Sequence, residues 1–219
     1  MKNNKIDWLN HSISLIVVFL GVTAGFILQS EKESSYEREL EKKYISGFIN
    51  DIDNNIEELK DLIKEDSLWL SNNIYVASYI FKDSLSYDSA CSLMKNMVFF
   101  SEFSEQTDTY EDITGSGNLN LMRDFELKTE IIAYHKSIKD YGFLEKYFQE
   151  YYSNNFLPFI MNHFDLFTNQ LIPYDIYKSV KFKNVVGGFI SYTQQRTAAH
   201  KELLNESYNL KSLLETYEN

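Results

Sequence analysis

The residues with the clearest chemical potential are an arginine and a histidine near the C-terminus, Arg196 and His200. They stand one helical turn apart in a seam whose members are spaced by three or four residues. The other members of the seam are Val186, Phe189, Thr193, Leu203, Ser207, Leu210, Leu214 and Tyr217. Because most of them are apolar, the spacing predicts that Arg196 and His200 face the protein interior. A buried guanidinium needs a carboxylate or several carbonyl partners.

Two interpretations of this pair differ in chemistry. Helical ribonucleases of the HEPN type place four to six residues between an arginine and a histidine, and the pair resembles that motif with only three intervening residues. The chain carries a net charge of −11, of which the first thirty residues contribute +1, so residues 31–219 carry −12. Such a domain repels phosphate backbones, and no nucleic-acid partner is expected. The sequence therefore favours a polar layer that fixes helix register, or a subunit contact.

Other candidates for chemistry have simpler structural interpretations. Gly115 and Gly117 lack the lysine of a phosphate-binding loop and are typical of a helix–helix turn. Cys91 is the only cysteine, and His135 and His163 belong to no zinc-binding motif. We therefore expect no enzymatic activity, no cofactor and no metal site.

The elements that position these residues begin with an apolar segment near the N-terminus. No charged residue lies between Asp7 and Glu31, and the apolar run ISLIVVFLGVTAGFIL occupies residues 13–28. A helix of about 20 residues crosses the hydrocarbon core of a bilayer, and Trp8 suits its interface. A cleaved signal peptide is the main alternative, but no small-residue cleavage site follows Gly25. Residues 1–30 are therefore predicted to hold a transmembrane helix, and residues 31–219 a separate domain.

The flanking charges predict the orientation of this helix. Lys2 and Lys5 precede it, whereas four basic residues follow it, namely Lys32, Arg38, Lys42 and Lys43. The excess of basic residues after the segment places the C-terminal domain in the cytoplasm and the chain in a bacterial inner membrane.

One face of the predicted membrane helix carries small or weakly polar side chains. It comprises His11, Ser14, Val18, Gly21 and Gly25, and includes a Gly-x-x-x-Gly pair. Two glycines one turn apart let another helix approach closely, although glycine is also frequent in membrane helices generally. The pattern favours self-association in the lipid bilayer, with this face as a packing surface or a pore lining.

The remaining sequence predicts an all-α fold, a membrane helix that continues into a helical bundle with long first and last helices. Between residues 45 and 63, apolar residues recur with a 4-3-4-3-4 spacing typical of a helix with one buried face. The predicted helices cover residues 12–64, 67–81, 86–103, 125–155, 158–167 and 180–217, with no convincing strand.

The chain resembles an uncharacterised family of bacterial proteins that have one N-terminal membrane helix and an all-helical domain. The resemblance lies in the run SLIVVFLGVTAGFIL with the following EKKYISGFINDIDNNIEEL, and in TYEDITGSGNLNLMRDFELKTEIIAYH. Because this family has no assigned activity, the resemblance implies the architecture alone.

Three functions agree with this architecture. The first is an oligomeric membrane effector that forms a pore or depolarises the membrane and is gated by the helical domain. Small single-span effectors of bacterial phage defence have a similar architecture. The second is a non-enzymatic membrane-anchored scaffold or sensor, and the third is a membrane-tethered HEPN-like ribonuclease. The glycine face favours the first, which requires a homo-oligomer and an activating partner or ligand.

Overall fold

The computed structural model describes residues 8–218, and these form an all-α protein whose first helix is very long. Helix α1 runs unbroken from Trp8 to Phe81, 74 residues, or about 110 Å at 1.5 Å per residue. A break between residues 64 and 67 was predicted and is wrong. Asp66, which lies at the predicted break, is buried and paired inside the bundle, and α1 contains no proline that would interrupt it.

Five further α-helices follow. They are α2 (Tyr87–Met97), α3 (Asp108–Gly115), α4 (Phe125–Tyr151), α5 (Leu157–His163) and α6 (Val180–Glu218). The predicted starts of α2, α4 and α6 agree within one residue. Helix α3 was not predicted, and α2 ends six residues earlier than expected.

The segment after α4 differs most from the prediction. The chain passes through a π-helical turn, Tyr152–Phe156, into α5, which ends at His163 instead of residue 167. Two short strands follow, β1 (Phe164–Asp165) and β2 (Gln170–Leu171), paired antiparallel. The Asp165 carboxylate accepts hydrogen bonds from the backbone amides of Phe167 and Thr168, at 2.8 and 3.3 Å, and so closes a turn that replaces the helix.

The three long helices pack side by side. Asp66 on α1 meets Arg196 on α6, and Asp53 meets Lys211, so α6 runs antiparallel to α1. Two hydrophobic clusters result. The proximal core, nearer the N-terminal segment, is built from residues 44–62, 127–141 and 203–214, and the distal core from residues 77–97, 148–171 and 182–189. The buried face predicted for residues 45–63 of α1 lies in the proximal core, with Ile52 and Leu59 fully enclosed.

Helix α1 also organises the irregular segment between α2 and α3. Asn55, buried on α1, donates to the Gln106 carbonyl at 2.9 Å and accepts from the Gln106 amide at 2.7 Å. Asp51 accepts from the amide of Thr109 at 2.9 Å, and Glu58 from that of Ser104 at 2.7 Å. These acceptors satisfy backbone groups that have no partner of their own, which fixes the segment against α1.

The N-terminal part of α1 packs against nothing in the structure. An 18-residue window there has a mean hydropathy of 2.1, and none of it is buried, so the helix is long and apolar enough to cross a membrane. The hydroxyls of Ser12 and Thr23 donate to the carbonyls of Trp8 and Phe19, four residues earlier, at 2.8 and 2.9 Å. Both hydroxyls thus have partners within their own helix, as a hydrocarbon environment requires.

The role of Asn55 generates a prediction. Replacing it by alanine (Asn55→Ala) leaves the partly buried amide and carbonyl of Gln106 without these partners and should lower the free energy of unfolding by about 1–3 kcal/mol. Its exposed neighbour provides the control, because Asn54→Ala should change stability by no more than about 0.5 kcal/mol. Urea unfolding of the detergent-solubilised chain, followed by tryptophan fluorescence, measures both. Equal stabilities would show that Asn55 does not fix this segment.

Candidate functional site: a buried polar layer

The centre of the layer is an ion pair between the first and last helices. The Arg196 guanidinium on α6 donates two hydrogen bonds to the Asp66 carboxylate on α1, through Nε at 3.1 Å and Nη2 at 2.5 Å. Only 2% of the Arg196 surface is exposed, and Asp66 is also buried. The carboxylate partner required by a buried arginine is therefore Asp66, held in a bidentate geometry that suits a planar guanidinium.

The remaining faces of the guanidinium are also occupied. Arg196 Nη1 donates to the Ser101 carbonyl at 3.0 Å and lies 4.0 Å from the carboxylate of Glu145 on α4. The guanidinium carbon stands 4.8 Å from the ring centre of Phe148 and 5.6 Å from that of Phe100. Aromatic faces attract a cation, so these two rings replace part of the hydration that Arg196 loses on burial.

His200 continues the layer one turn further along α6 and is completely buried. Its Nε2 hydrogen-bonds to the hydroxyl of Tyr141, which in turn donates to the Glu145 carboxylate. Nε2 also lies 3.5 Å from Glu145, and Nδ1 lies 3.9 Å from Asp66. We call the side chains of Asp66, Tyr141, Glu145, Arg196 and His200 the polar layer. It joins α1, α4 and α6 at the level where the proximal and distal cores meet.

Two atoms of the layer have no hydrogen-bond partner in the described structure, Glu145 Oε2 and His200 Nδ1. Both lie about 4 Å from an oppositely polar group, Arg196 Nη1 and Asp66 Oδ2 respectively. These separations exceed a direct hydrogen bond, so each pair interacts through charge or polarity alone.

Burial and charge pairing shift the titration of these groups. Burial raises the pKa of the Tyr141 hydroxyl, and the negative charge of Glu145 raises it further. Burial alone would raise the pKa of Glu145, but hydrogen bonds from His200 and Tyr141 and the charge of Arg196 outweigh it and lower that pKa. For Arg196, burial opposes the charged form, yet hydrogen bonding and attraction to Asp66 raise its pKa. The layer therefore favours ionised Glu145 and Arg196 beside a neutral Tyr141.

The enclosure of the layer limits what it can do chemically. A cavity of about 280 Å³ reaches Arg196 from outside, lined by Glu65, Asp66, Trp69, Phe99, Phe100, Ser101, Phe189 and Thr193. His200 does not line it, so no single opening presents both members of the pair to a substrate. Among residues 8–218, no group of three His, Cys, Asp or Glu side chains is arranged to hold a metal ion.

The sequence-predicted membrane face lies far from the layer. His11, Ser14, Val18, Gly21 and Gly25 are all exposed on α1, and a Cβ added at either glycine would meet no atom within 4 Å. This face therefore has no intramolecular partner within the described chain. The structure brings Arg196 and His200 together, and keeps both apart from the glycine pair.

Sequence reasoning missed three members of the layer, Asp66, Tyr141 and Glu145. A signal existed for two of them, because Tyr141 and Glu145 are one turn apart and continue the buried face of Leu127, Ile131 and Ile138 on α4. Of the other candidates, Cys91 is buried, and His135 stacks on Tyr110 with ring centres 3.9 Å apart. Gly117 adopts a left-handed conformation, φ +75°, in the predicted turn.

The ion pair generates the second prediction. Arg196→Met leaves Asp66 buried without its counter-charge and should lower the free energy of unfolding by about 3–5 kcal/mol. Adding Asp66→Leu should recover much of that loss, because the double variant buries no uncompensated charge. Lys201→Met, at an exposed position of the same helix, is the control. Denaturant midpoints of the solubilised chain give the comparison, and a double variant less stable than Arg196→Met would contradict it.

Glu145 generates a pH prediction. Its pKa is lower in the folded protein than the ordinary value of 4.5, so it stabilises the fold above that value, and the contribution disappears as pH falls through the folded pKa. The stability difference between wild type and Glu145→Gln should therefore shrink as pH falls below 4.5. Glu150→Gln, exposed on the same helix, should follow the wild-type profile. A difference that does not change with pH would contradict the assignment.

Comparison with known proteins leaves the interpretation to this geometry, because no protein-family model, curated protein or solved structure matches the chain.

Proposed function

We propose that this chain is a self-associating single-pass membrane effector whose helical domain controls the packing of its membrane helices. One observation carries the proposal. The apolar segment and the buried wall of the bundle belong to a single helix, α1, without a break from Trp8 to Phe81. A rotation or tilt of the bundle is therefore transmitted directly to the segment in the bilayer.

The other helices of the bundle pack against α1 along most of its length outside the membrane. Buried residues of α1 extend from Tyr44 to Ile80, whereas the apolar segment before residue 31 is exposed on all sides. Lipid covers such a surface, and Gly21 and Gly25 leave a flat strip on it where a second helix can approach. These features support an assembly that is held together by contacts between membrane helices and whose helix packing is controlled by the domain.

A pore is the finer form of this proposal. One helix cannot enclose a water path, but several copies can place His11, Ser14 and the glycine pair inward and Phe19 toward lipid while every backbone group stays satisfied. Glu31 and Glu33 would then lie beside the cytoplasmic mouth and favour cations. The basic residues after the segment support a cytoplasmic domain on a bacterial inner membrane, and phage defence is the setting that similar architectures suggest.

The burial of Arg196 and His200 weighs against the ribonuclease alternative. A catalytic pair must touch its substrate, whereas both side chains lie inside the bundle and are engaged by Asp66, Tyr141 and Glu145. The scaffold alternative keeps the same anchor and bundle but requires no change in membrane permeability. Membrane potential is therefore the quantity that separates an effector from a scaffold.

The test follows membrane potential with a voltage-sensitive dye while the full-length chain is overproduced in bacteria. We expect loss of potential and arrested growth. The double substitution Gly21→Leu with Gly25→Leu should suppress both effects by separating the helices. The matched control is Val22→Leu with Phe26→Leu, which leaves the glycine face unchanged.

Carbonate extraction must first show that each variant remains in the membrane. A steady potential and normal growth, with wild-type protein verifiably in the membrane, would contradict the effector and favour the scaffold. Depolarisation that persists in the glycine variant would show that another face of α1 forms the path.

A further inference from the structure

The two parts of the domain on either side of the polar layer differ in net charge. We call residues 67–100 and 148–192, beyond the layer, the distal half, and the rest of residues 31–219 the proximal half. The distal half has five lysines and five carboxylates and no net charge. The lysines are Lys82, Lys95, Lys178, Lys181 and Lys183, and the carboxylates are Asp83, Asp88, Glu150, Asp165 and Asp175. The whole charge of −12 therefore lies in the proximal half.

Exposed apolar side chains have the opposite distribution. Among the residues whose exposure the structure describes beyond the N-terminal apolar segment, eleven of the seventeen exposed large hydrophobics lie in the distal half, although it is the smaller half. They are Leu68, Ile74, Tyr75, Phe99, Leu157, Met161, Leu166, Phe167, Ile172, Tyr174 and Val180. The distal half is thus net neutral, with ten charged side chains that balance, and it exposes most of the apolar groups of the domain. A surface without excess charge and with exposed apolar groups suits a protein–protein contact.

The distal half also contains a groove between α1 and α6. Its volume is about 770 Å³, and its walls include Ile74 and Ala77 of α1 and Val186 and Ile190 of α6. Gly187 lines the groove, and a Cβ added there would meet no atom within 4 Å. A glycine inside a helix is less favourable than alanine by about 1 kcal/mol, and no internal contact in the described structure requires it.

A projecting side chain lies on the other side of the same helix pair. Phe99 is 88% exposed and stands beside Trp69 of α1. Ser78, which lines the groove, follows Trp69 by nine residues, or two and a half turns, and so faces the opposite side of α1. Both features adjoin α6 between residues 183 and 196. Because Asp66 is level with Arg196 on the antiparallel α6, Gly187 is level with residue 75 of α1, about 9 Å beyond Trp69 along the bundle. Phe99 of one copy therefore reaches the groove of the next when the neighbouring bundles tilt.

We propose that copies of this chain associate side by side, with Phe99 of one copy seated in the groove beside Gly187 of the next. The proposal rests on the self-association in the proposed function and names its contact. Copies anchored in one bilayer by an unbroken α1 present their distal halves at the same height. The acidic proximal halves repel one another, so a second copy is accommodated best by the half whose charges balance.

The placement of the two features determines the symmetry. A contact between different surfaces of identical copies is heterologous, and it closes into a ring when each copy is rotated about one shared axis. A shared bilayer makes that axis perpendicular to the membrane. A ring of bundles would gather the membrane helices beneath it around the same axis.

The first test alters the groove without altering the fold. Gly187→Leu fills the groove with a side chain that has room on the isolated chain, and Phe99→Ser removes the projecting ring. Both should lower the mass of the wild-type assembly in native mass measurements of the detergent-solubilised full chain. The control is Gly142→Leu, at an exposed glycine of α4 that also has open space, and it should keep the wild-type mass.

The second test distinguishes a ring from a two-fold dimer. Two differently tagged chains, one with Phe99→Cys and one with Ser191→Cys in the groove, are produced together and oxidised. If the contact is heterologous, the mixture should form a cross-linked species that carries both tags. Neither variant produced alone should form a cross-link. Cross-linking of each variant alone would overturn it.

The outcomes distinguish a failure of the distal contact from a failure of the proposed membrane-effector function. A wild-type chain that is monomeric in the membrane contradicts both proposals. An assembly whose mass is unchanged by Gly187→Leu and Phe99→Ser overturns the distal contact and leaves the self-association of the membrane helices in place. Loss of assembly in these two variants, with Gly142→Leu intact, supports the ring.

Discussion

The bidentate pair between Arg196 and Asp66 determines how the first and last helices meet. A buried ion pair adds little net stability compared with well-packed apolar residues, but a buried charge without its partner is very unfavourable. A shift of α6 by one turn along α1 would leave Arg196 and Asp66 unpaired. The pair therefore selects one register for two long helices whose apolar seams would tolerate several. Both cores depend on that register, since each contains residues from α1 and α6.

The acidity of α1 is partly structural. Asp51 and Glu58, together with the neutral Asn55, accept hydrogen bonds from backbone amides of the segment before and at the start of α3. Nearer the apolar segment, Glu41 accepts from the Arg123 amide at 3.0 Å, and Glu37 pairs with its guanidinium at the same distance. An extended chain cannot satisfy its own backbone groups, so these acceptors take the place of a neighbouring strand. Part of the negative charge that argues against nucleic acids thus arises from the requirements of the fold.

The sequence predicted the elements that follow from local periodicity. The seams of α1 and α6, the burial of Arg196 and the turn at Gly117 depend on spacing or residue type alone, and each could be identified before the structure was known. The continuation of α1 through Asp66 could not, because an acidic residue in a helix shows no sign of a partner that follows it by 130 residues. Helix α3 lacks a side-chain cap and buries only Ile113, so its stability comes from α1. The strands after α5 depend on a single Asp165 turn, which is too short to produce a periodic pattern.

The length of α1 has a mechanical consequence. From Ser30 to Phe81 it extends about 76 Å beyond the apolar segment, at 1.5 Å per residue. Membrane helices are tilted by about 20° on average. If the apolar segment crosses a bilayer, a tilt of that size would carry the far end of this helix sideways by about 26 Å. A small change of angle in the apolar segment would therefore become a large lateral displacement of the distal half.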